Sequence, residues 1–365
     1  MVQTMDLSPI FSVEKHELTF NFPAGTSRGV LTTKKLWLIT LSAEGKQGIG
    51  ECSIIEGLSP DYINDAQYEQ QLSDFVLRLN QCSVPLDHLL FTLDEFLPEL
   101  RYFPSIRFGL ECALRAWLSP IPGLLFNNSF ARGERAIPIN GLIWMGSPEW
   151  MQDQVEKKIK EGYSVLKFKI GAIDWKQEHE IIQQVRKHFG PDKLTIRVDA
   201  NGGFTQSNVR QILNQLSDLS VHSIEQPVAV KEIDLLTALC KEAIVPIALD
   251  ESLIPCYSLA EKVALLDRVC PQYIILKPSL YGGISGTKSW IDLATERGIG
   301  WWMTSALESN IGLTAIAQFA GEYDFTLPQG LGTGGLFTTN FNCGLSLSNG
   351  LLTHHLPEHG LSSSH

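Results

Sequence analysis

The 365-residue sequence has no apolar run that approaches the length of about 18 residues needed by a membrane-spanning helix. It also has no excess of basic residues, since 40 Asp and Glu stand against 29 Lys and Arg and give a formal net charge of −11. Nucleic-acid-binding proteins usually carry a basic stripe, so this acidic balance argues against a nucleic-acid partner. The first ten residues lack a basic segment followed by an apolar one, which argues against a signal peptide. Together these absences predict a cytoplasmic protein with neither a membrane nor a nucleic-acid partner.

The cysteines give no sign of a disulfide framework or a metal site. There are seven of them, an odd number, and no two stand in a C-x-x-C arrangement. This pattern is typical of reduced thiols in a cytosolic protein. Hydrophobic residues make up 44% of the chain and charged residues 19%, which excludes wholesale disorder. The length predicts two domains, or one barrel with an appended domain.

The first part of the chain has the pattern of strands and turns, followed by a helix. Leu36–Leu41 is a β-rich run, a polar turn follows at 42–48, and Ile49–Cys52 resumes the apolar pattern, so the sequence predicts a hairpin. A helical stretch extends from about Asp61 to Asn80. A proline-rich stretch at 119–123 then marks a boundary before the regular part of the chain.

From about residue 137 onward, short apolar strands alternate with amphipathic helices. One helix begins at Ser147, and Met151, Val155 and Ile159 recur on one of its faces. The repeat is about 25–30 residues long, and about eight repeats fit a closed (β/α) barrel. The alternative, an open doubly wound sheet, would usually carry a glycine-rich phosphate turn after its first strand, and none is present. The predicted strands are Ile137–Leu142, Val165–Ile170, Leu194–Val198, Val221–Ile224, Pro246–Leu249, Tyr273–Leu276, Gly300–Met303 and Phe325–Leu327.

Charged residues stand at the carboxyl ends of five successive predicted strands, which is where a (β/α) barrel places its active site. Because their spacing follows the structural repeat, we expect three carboxylates to converge from neighbouring strands. Two lysines lie two residues apart on one strand and therefore point to the same side. The charged residues are, in chain order, Lys167, Lys169, Asp199, Glu225, Asp250 and Lys277.

Three carboxylates cannot all stay ionised inside a barrel mouth without compensating charge. A hard divalent cation provides that charge, since Mg²⁺ prefers oxygen ligands and Mn²⁺ suits the same ligands. A lysine pKa of about 10.4 must fall to about 7–8 before the amine acts as a base, and a nearby cation acts in that direction. This combination is typical of proton abstraction next to a metal-bound carboxylate. An alternative interpretation, that each charge is a cap or a surface ion pair, explains single residues better than the whole set.

The pattern resembles the enolase superfamily, in its muconate-lactonizing-enzyme-like subgroup, over nearly the whole chain. The Ser-Ala-Leu-Glu-Ser-Asn and Gly-Thr-Gly-Gly stretches are similar to those of the dehydratases of menaquinone biosynthesis, whereas the lysines and carboxylates are shared with other relatives. The motifs that carry the resemblance are Phe22–Gly29, Gly50–Ser53, Pro104–Glu111, Lys277–Gly283, Thr304–Gly312 and Gly332–Phe337.

The resemblance implies an α/β fold, a modified (β/α)₇β barrel of the TIM type with an α+β capping domain. We expect the capping domain at 1–125, the catalytic barrel at 126–335, and a C-terminal segment at 336–365 that returns to the capping domain. Within that segment, Asn349-Gly350 predicts the turn of a hairpin. The oligomeric state stays open.

The resemblance also implies a role for each charged residue. Asp199, Glu225 and Asp250 are the implied Mg²⁺ ligands, Lys169 is the implied base, and Lys277 is the implied cation on the opposite face of the substrate. The partner is a small dicarboxylate, whose distal carboxylate we expect at Gly282, Gly283 and Ser305. Further implied substrate contacts are Lys167, Arg197, Asn201 and the loop residues Thr26, Ser27 and Arg28.

The implied reaction is the syn-elimination of water from a cyclohexadiene carboxylate. One alternative is an N-succinylamino acid racemase or a dipeptide epimerase, in which Lys169 and Lys277 exchange protons on opposite faces. Gly332–Gly334 stands where epimerases carry an Asp-x-Asp motif, which favours the dehydratase. A second alternative is a barrel that binds a ligand without catalysis, and the complete set of lysines and carboxylates argues against it.

Overall fold

The N-terminal part of the chain forms an antiparallel three-stranded sheet in the computed structural model, which describes residues 9–26, 29–144, 146–171, 174–324 and 326–356. The predicted hairpin is confirmed, since Leu36 pairs with Ser53 and Ala43 pairs with Lys46. The strands are β1 (Ile10–Thr26), β2 (Gly29–Ala43) and β3 (Lys46–Ser53), in the order β1-β2-β3.

Three helices follow this sheet: α1 (Asp65–Asn80), α2 (Leu86–Phe96) and α3 (Pro104–Leu118). Helix α1 begins where the Asn64 side chain accepts a hydrogen bond from the Gln67 N–H at 2.9 Å. Helix α3 packs against β3 and buries most of its residues. A Cβ on Gly50 would lie 1.9 Å from the Gly109 carbonyl oxygen, so only glycine at position 50 allows α3 to approach the sheet this closely.

After the short strand β4 (Ile137–Pro138), seven parallel strands form one curved sheet in which each strand neighbours the next along the chain. These strands are β5 (Gly141–Ile143), β6 (Val165–Lys169), β7 (Thr195–Asp199), β8 (Ser223–Glu225), β9 (Ile247–Leu249), β10 (Tyr273–Leu276) and β11 (Gly300–Met303). The alternating helices are α4 (Pro148–Lys160), α5 (Trp175–His188), α6 (Val209–Asp218), α7 (Ile233–Glu242), α8 (Leu259–Val269), α9 (Gly283–Glu296) and α10 (Asn310–Ala320). No helix of the described residues is long and apolar enough to cross a membrane.

The eighth strand differs from the prediction. Phe325 lies outside the described residues, and positions 326 and 327 are bends rather than strand. The gap between the first and last parallel strands is spanned instead by Gln329, which forms a parallel bridge to Ile139, and by Gly330, which forms one to Thr304. Pro328 precedes this pair and has no N–H to offer a ladder, which limits the last strand to two residues.

The apolar faces of the helices pack on the outside of the parallel sheet. In α6, for example, the buried residues are Val209, Ile212, Leu213 and Leu216, which recur at helical spacing. The inside of the barrel holds a smaller apolar cluster of Ala248, Ile275 and Trp302. This interior layer forms the floor beneath the carboxyl ends of the strands.

The C-terminal segment divides between the two parts of the molecule. Phe337 bridges Phe20 of β1, which agrees with a return to the capping sheet. The predicted Asn349-Gly350 turn joins β12 (Leu345–Ser348) to β13 (Leu351–His354), but β13 pairs with β4 at the start of the barrel. The expectation that the whole segment returns to the cap is therefore wrong for the hairpin, because the free edge of β4 receives it. Residues 357–365 lie outside the description, and the domain limits at 125 and 335 stay predictions.

Candidate active site

The carboxyl ends of strands β6 to β10 bring the predicted charged residues to one level. Lys169 pairs in register with Asp199, and Asp199 pairs in register with Glu225. Asp250 and Lys277 directly follow β9 and β10. Because neighbouring strands lie about 4.8 Å apart, side chains at matching levels reach one another without long excursions of the backbone.

The lysines and carboxylates form a continuous network of ion pairs. Lys167 Nζ bridges Asp199 Oδ2 at 2.9 Å and Glu225 Oε2 at 2.5 Å. Lys169 Nζ lies 2.8 Å from Asp199 Oδ2. Lys277 Nζ contacts Asp250 and stands 3.9 Å from Glu225 Oε1. The three carboxylates are at most 2% exposed, so these contacts are little screened by water.

The electrostatic balance of this network differs among its carboxylates. Burial opposes ionisation of all three, but Lys167 and Lys169 lower the pKa of Asp199, and Lys277 lowers the pKa of Asp250. Burial and the charges of Asp199 and Asp250 raise the pKa of Glu225 well above its usual range, although Lys167 opposes them. Burial by itself would lower the pKa of Lys167, but Asp199 and Glu225 outweigh it and raise that pKa. The pKa of Lys277 is raised in the same way, with Asp250 and Glu225 outweighing burial. The site therefore holds these two lysines as cations, and Glu225 is the carboxylate whose burial and like-charge neighbours they offset least.

The carboxylates suit a hard divalent cation. All three offer oxygen ligands, and the buried Glu225 Oε1 accepts no hydrogen bond from the described residues. Nowhere in the described ranges do three carboxylate, imidazole or thiol groups already form a metal cage. The ammonium group of Lys167 lies between Asp199 and Glu225 instead, and that of Lys277 lies between Glu225 and Asp250. A cation in place of these ammonium contacts would meet the same donor set.

A pocket of about 290 Å³ opens above this network, between the capping sheet and the barrel. Its cap side is formed by residues 29–31, 55, 56 and 58, and its barrel side by strand ends and the turns that follow them. The predicted residues that line it are Lys167, Lys169, Asp199, Asn201, Lys277 and Ser305, and its other lining residues include Asn140, Leu142, Trp144, Thr304, Ala306, Leu307, Gly330, Gly332 and Thr333.

Asn201 orients the predicted base. Its Oδ1 accepts a hydrogen bond from Lys169 Nζ at 2.8 Å, and its Nδ2 donates to Glu251 Oε1 at 3.0 Å. Asn201 adopts a positive φ of 43°, a conformation that asparagine tolerates better than most residues. We did not predict a role for Glu251, and its position next to Asp250 was the only sequence signal.

Arg197 does not lie where we expected a substrate contact. It is 2% exposed inside the barrel, with its guanidinium 4.0 Å from the ring of Trp302. Its Nη1 donates to the Pro328 carbonyl at 2.8 Å. Although Arg197 faces the same side of β7 as Asp199, it is two residues deeper, so it belongs to the floor of the site rather than to the pocket.

Gly282 and Gly283 are also placed elsewhere. Gly283 begins helix α9, and a Cβ there would lie 2.5 Å from Glu111 Oε2. That carboxylate accepts the Ile284 N–H at 2.5 Å and the Ser285 N–H at 3.3 Å. The Gly283 N–H itself donates to the Pro278 carbonyl at 2.9 Å, so neither it nor the next two N–H groups, which Glu111 of the capping helix α3 accepts, is directed at the substrate pocket.

The loop expected to close over the substrate is described only in part. Ser27 and Arg28 lie outside the described residues. The backbone of Thr26 pairs with Gly29 at the end of β1, and Gly29 itself lines the pocket. Of the residues that flank the undescribed positions, Gly29 therefore lies at the pocket.

Tyr281 is a site residue that the sequence analysis missed. Its hydroxyl donates to the carboxylate of Asp250 and lies 3.0 Å from the Asp250 carbonyl oxygen. Burial and the charge of Asp250 raise the pKa of this hydroxyl well above its usual range, so it is a donor at neutral pH. The motif Lys277–Gly283 contains Tyr281, but the sequence has no signal for the direction of its side chain.

Comparison with known proteins assigns this arrangement to a class. Residues 150–334 match the family described as enolase C-terminal domain-like. The chain therefore belongs to the enolase superfamily, whose capped barrel it shares. It is 45% identical to the o-succinylbenzoate synthase of Desulfotalea psychrophila, over 93% of this chain and 98% of that one. Within the superfamily, the chain accordingly belongs to the o-succinylbenzoate synthase family.

Solved structures support the same assignment of fold. The crystal structure of MenC from Desulfotalea psychrophila superposes with a TM-score of 0.85 at 42% identity, over 95% of this chain and 99% of that one. A substrate-liganded L-Ala-D/L-Glu epimerase from Bacillus subtilis gives a TM-score of 0.81 at 22% identity, over 96% and 97% of the two chains, which shows the shared fold alone.

A more distant relative in sequence bears a different name. The N-succinylamino acid racemase of Thermus thermophilus is 28% identical over 86% of this chain and 82% of its own.

Proposed function

We propose that the chain is an o-succinylbenzoate synthase, a hydro-lyase that removes water from 2-succinyl-6-hydroxy-2,4-cyclohexadiene-1-carboxylate and releases 2-succinylbenzoate. The observation that carries the proposal is that Lys169 and Lys277 line one pocket directly above three buried carboxylates. A role in menaquinone biosynthesis and a cytoplasmic location follow from the same family resemblance and stay predictions.

Asp199, Glu225 and Asp250 are the residues that would hold Mg²⁺. When bound, the cation supplies positive charge against the substrate carboxylate while negative charge develops there. The support for this assignment is the all-oxygen donor set and the unsatisfied Glu225 Oε1 described above. Mn²⁺ suits the same donors, so the choice between the two metals is left to measurement.

The elimination needs one proton acceptor that later serves as a proton donor. Lys169 Nζ takes the proton from the ring carbon that bears the carboxylate, and the electron pair passes into the ring and carboxylate. The ammonium group so formed returns that proton to the hydroxyl on the adjacent carbon, which leaves as water. In a syn elimination both groups leave from one face, so one lysine suffices. The ring becomes aromatic, and the overall reaction is therefore favourable.

The other residues hold the substrate and the base. Asn201 accepts a hydrogen bond from Lys169 and so fixes the direction of the amine. Lys277 and Lys167, whose raised pKa values keep them protonated, place positive charge beside the carboxylate as the proton is removed. Ser305 and the neighbouring turn line the side of the pocket away from the strand of the base.

The test is a direct assay of the purified protein. Dehydration of the cyclohexadiene substrate, followed by ultraviolet absorbance in the presence of Mg²⁺, should proceed with the wild type. Lys169→Ala should reduce kcat by about 10²–10⁴-fold, the usual contribution of a general base. Lys176→Ala, at an exposed lysine, is the matched control and should be fully active. Undiminished turnover by Lys169→Ala would sink the assignment of the base.

A second activity has one observation in its favour. Lys169 and Lys277 both line the pocket, as a racemisation with two proton-transfer groups requires. Relatives at 28% and 27% identity bear the name N-succinylamino acid racemase. Incubation with an N-succinyl amino acid in deuterated water tests it: exchange at the α-carbon supports a racemase activity, and retention of the α-proton excludes it for that compound.

A further inference from the structure

The turn that follows strand β11, residues 304–309, forms one wall of the pocket. Thr304, Ser305, Ala306 and Leu307 all line the cavity. Leu307 has a φ of 62°, in the left-handed region that branched side chains rarely adopt. Such a conformation persists only where the surrounding contacts determine it, so contacts outside the turn must hold it in place.

Glu308 holds the turn from behind the pocket. Its side chain is fully buried, with 0% exposure. Its Oε2 accepts a hydrogen bond from the Ser305 hydroxyl at 2.5 Å, and its Oε1 accepts one from the Ser279 hydroxyl at 2.5 Å. Ser279 stands two residues after Lys277. One carboxylate thus connects the wall of the pocket to the turn that carries the proposed cationic lysine.

Two charged residues of the capping sheet hold the same turn from the other side. Lys34, which is 3% exposed, donates to the Ala306 carbonyl at 3.0 Å and to the Ile54 carbonyl at 2.5 Å. Glu51 accepts the Ser309 N–H at 2.9 Å and the Ser309 hydroxyl at 2.5 Å. Lys34 and Glu51 therefore both tie the turn to the capping sheet.

We propose that Glu308 is a positioning residue for catalysis, which sets Ser305 and the turn of Lys277 relative to each other through its two serine contacts. The inference rests on the proposed function, because it concerns the placement of groups that the reaction uses. Burial of a polar carboxyl group is unfavourable compared with an apolar side chain of the same size, so packing alone would not require this group. The carboxylate adds two hydrogen-bond acceptors in fixed directions, one for Ser305 and one for Ser279.

Substitution at position 308 separates positioning from packing. Glu308→Gln keeps the shape and one strong acceptor, whereas Glu308→Met keeps the volume and loses both acceptors. We expect kcat/KM to fall about 10-fold in the first variant and about 100-fold in the second, with a lower kcat as well as a higher KM. The affinity for 2-succinylbenzoate, measured by quenching of tryptophan fluorescence, should fall in the same order, since Trp144 lines the pocket.

A double-mutant cycle with Ser279→Ala tests whether Glu308 acts on Lys277 through its contact with Ser279. If Glu308 acts through Ser279, the losses of kcat in Ser279→Ala and Glu308→Gln should be less than multiplicative when combined. Glu111→Gln is the matched control, because it removes another buried carboxylate from the contact between cap and barrel without touching the pocket. That variant should lower the unfolding temperature and leave kcat and KM at wild-type values.

The outcomes distinguish this inference from the proposed function. An inactive wild type overturns the proposed function and the inference with it. An active wild type together with wild-type kcat and KM in folded Glu308→Met overturns the inference alone. Independent, multiplicative losses in the cycle with Ser279→Ala also overturn it, because they show that Glu308 does not act through that contact.

Discussion

Replacement of Lys262 by methionine tests how the fold accommodates a buried positive charge. Lys262 is 5% exposed and lies at the end of helix α8 nearest the first turn of α9. Its ammonium group donates to the Gly286 carbonyl at 2.8 Å and to the Ser289 hydroxyl at 2.6 Å, and it lies 5.2 Å from the ring of Trp290. All three of these partners are neutral.

The magnitude follows from the pKa of this lysine. Burial and the charge of Arg107 lower the pKa of Lys262 from 10.5 to about 8. The folded chain therefore binds the proton more weakly than the unfolded chain, so the free energy of unfolding rises as the pH increases from 8 to 10.5. Between pH 7 and pH 10 this effect amounts to about 2.5 kcal/mol.

Methionine has nearly the same length and no charge, so it removes this pH-dependent term. It loses two hydrogen bonds worth about 1 kcal/mol each, although the Gly286 carbonyl keeps a hydrogen bond from the Ser289 hydroxyl at 3.0 Å. We expect Lys262→Met to be about 1 kcal/mol more stable than the wild type at pH 7 and about 1 kcal/mol less stable at pH 10.

Urea unfolding followed by tryptophan fluorescence at the two pH values measures both differences. Lys288→Met, at a lysine on α9 whose side chain is 59% exposed, controls for the loss of one positive charge. The decisive quantity is the change in the stability difference between the two pH values, because the lost hydrogen bonds cancel in it. A change of less than about 1 kcal/mol, or one of opposite sign, would refute the reasoning.

Three further predictions concern the site and the capping domain. Asn201→Ala removes the acceptor of the Lys169 hydrogen bond and should lower kcat about 10–100-fold in steady-state assays, with a smaller change in KM. Mg²⁺ at about 100 times its Kd should raise the free energy of unfolding by about 2.7 kcal/mol in the wild type. Asp199→Asn should lose most of that gain in melting experiments with and without a chelator. Gly50→Ala places a Cβ 1.9 Å from the Gly109 carbonyl oxygen, and circular dichroism should show a loss of at least about 3 kcal/mol of stability or no folded protein.

The repeating part of the chain was predictable because two regularities coincide there. The spacing of the strands equals the spacing of the charges, so Lys169, Asp199 and Glu225 had to reach one level once the strands were parallel and in register. Alternation along a strand likewise predicted that Lys167 and Lys169 share a side. Neither inference needs knowledge of what packs against the barrel.

The residues that departed from prediction depend on partners far along the chain. Whether Arg197 reaches the pocket depends on Trp302 and on the Pro328 carbonyl, which hold it one layer lower. The N–H groups beyond Gly283 are taken by Glu111, a residue of another domain. The local sequence Asn349-Gly350 also predicts the turn of the C-terminal hairpin. It does not indicate that the hairpin pairs with β4, because that pairing depends on which sheet edge is free.

The pocket is lined by residues of the cap and of several parts of the barrel. The residues proposed for chemistry fall between Lys167 and Lys277. The other residues that line the pocket come from the cap, at 29–31, 55, 56 and 58, and from the two ends of the barrel, at 140, 142 and 144 and within 304–333. Substitutions among these other lining residues can therefore change the shape of the pocket without altering the lysines and carboxylates. New substrates for this scaffold should accordingly be sought by varying the cap and the last two turns, with the lysines and carboxylates left as they are.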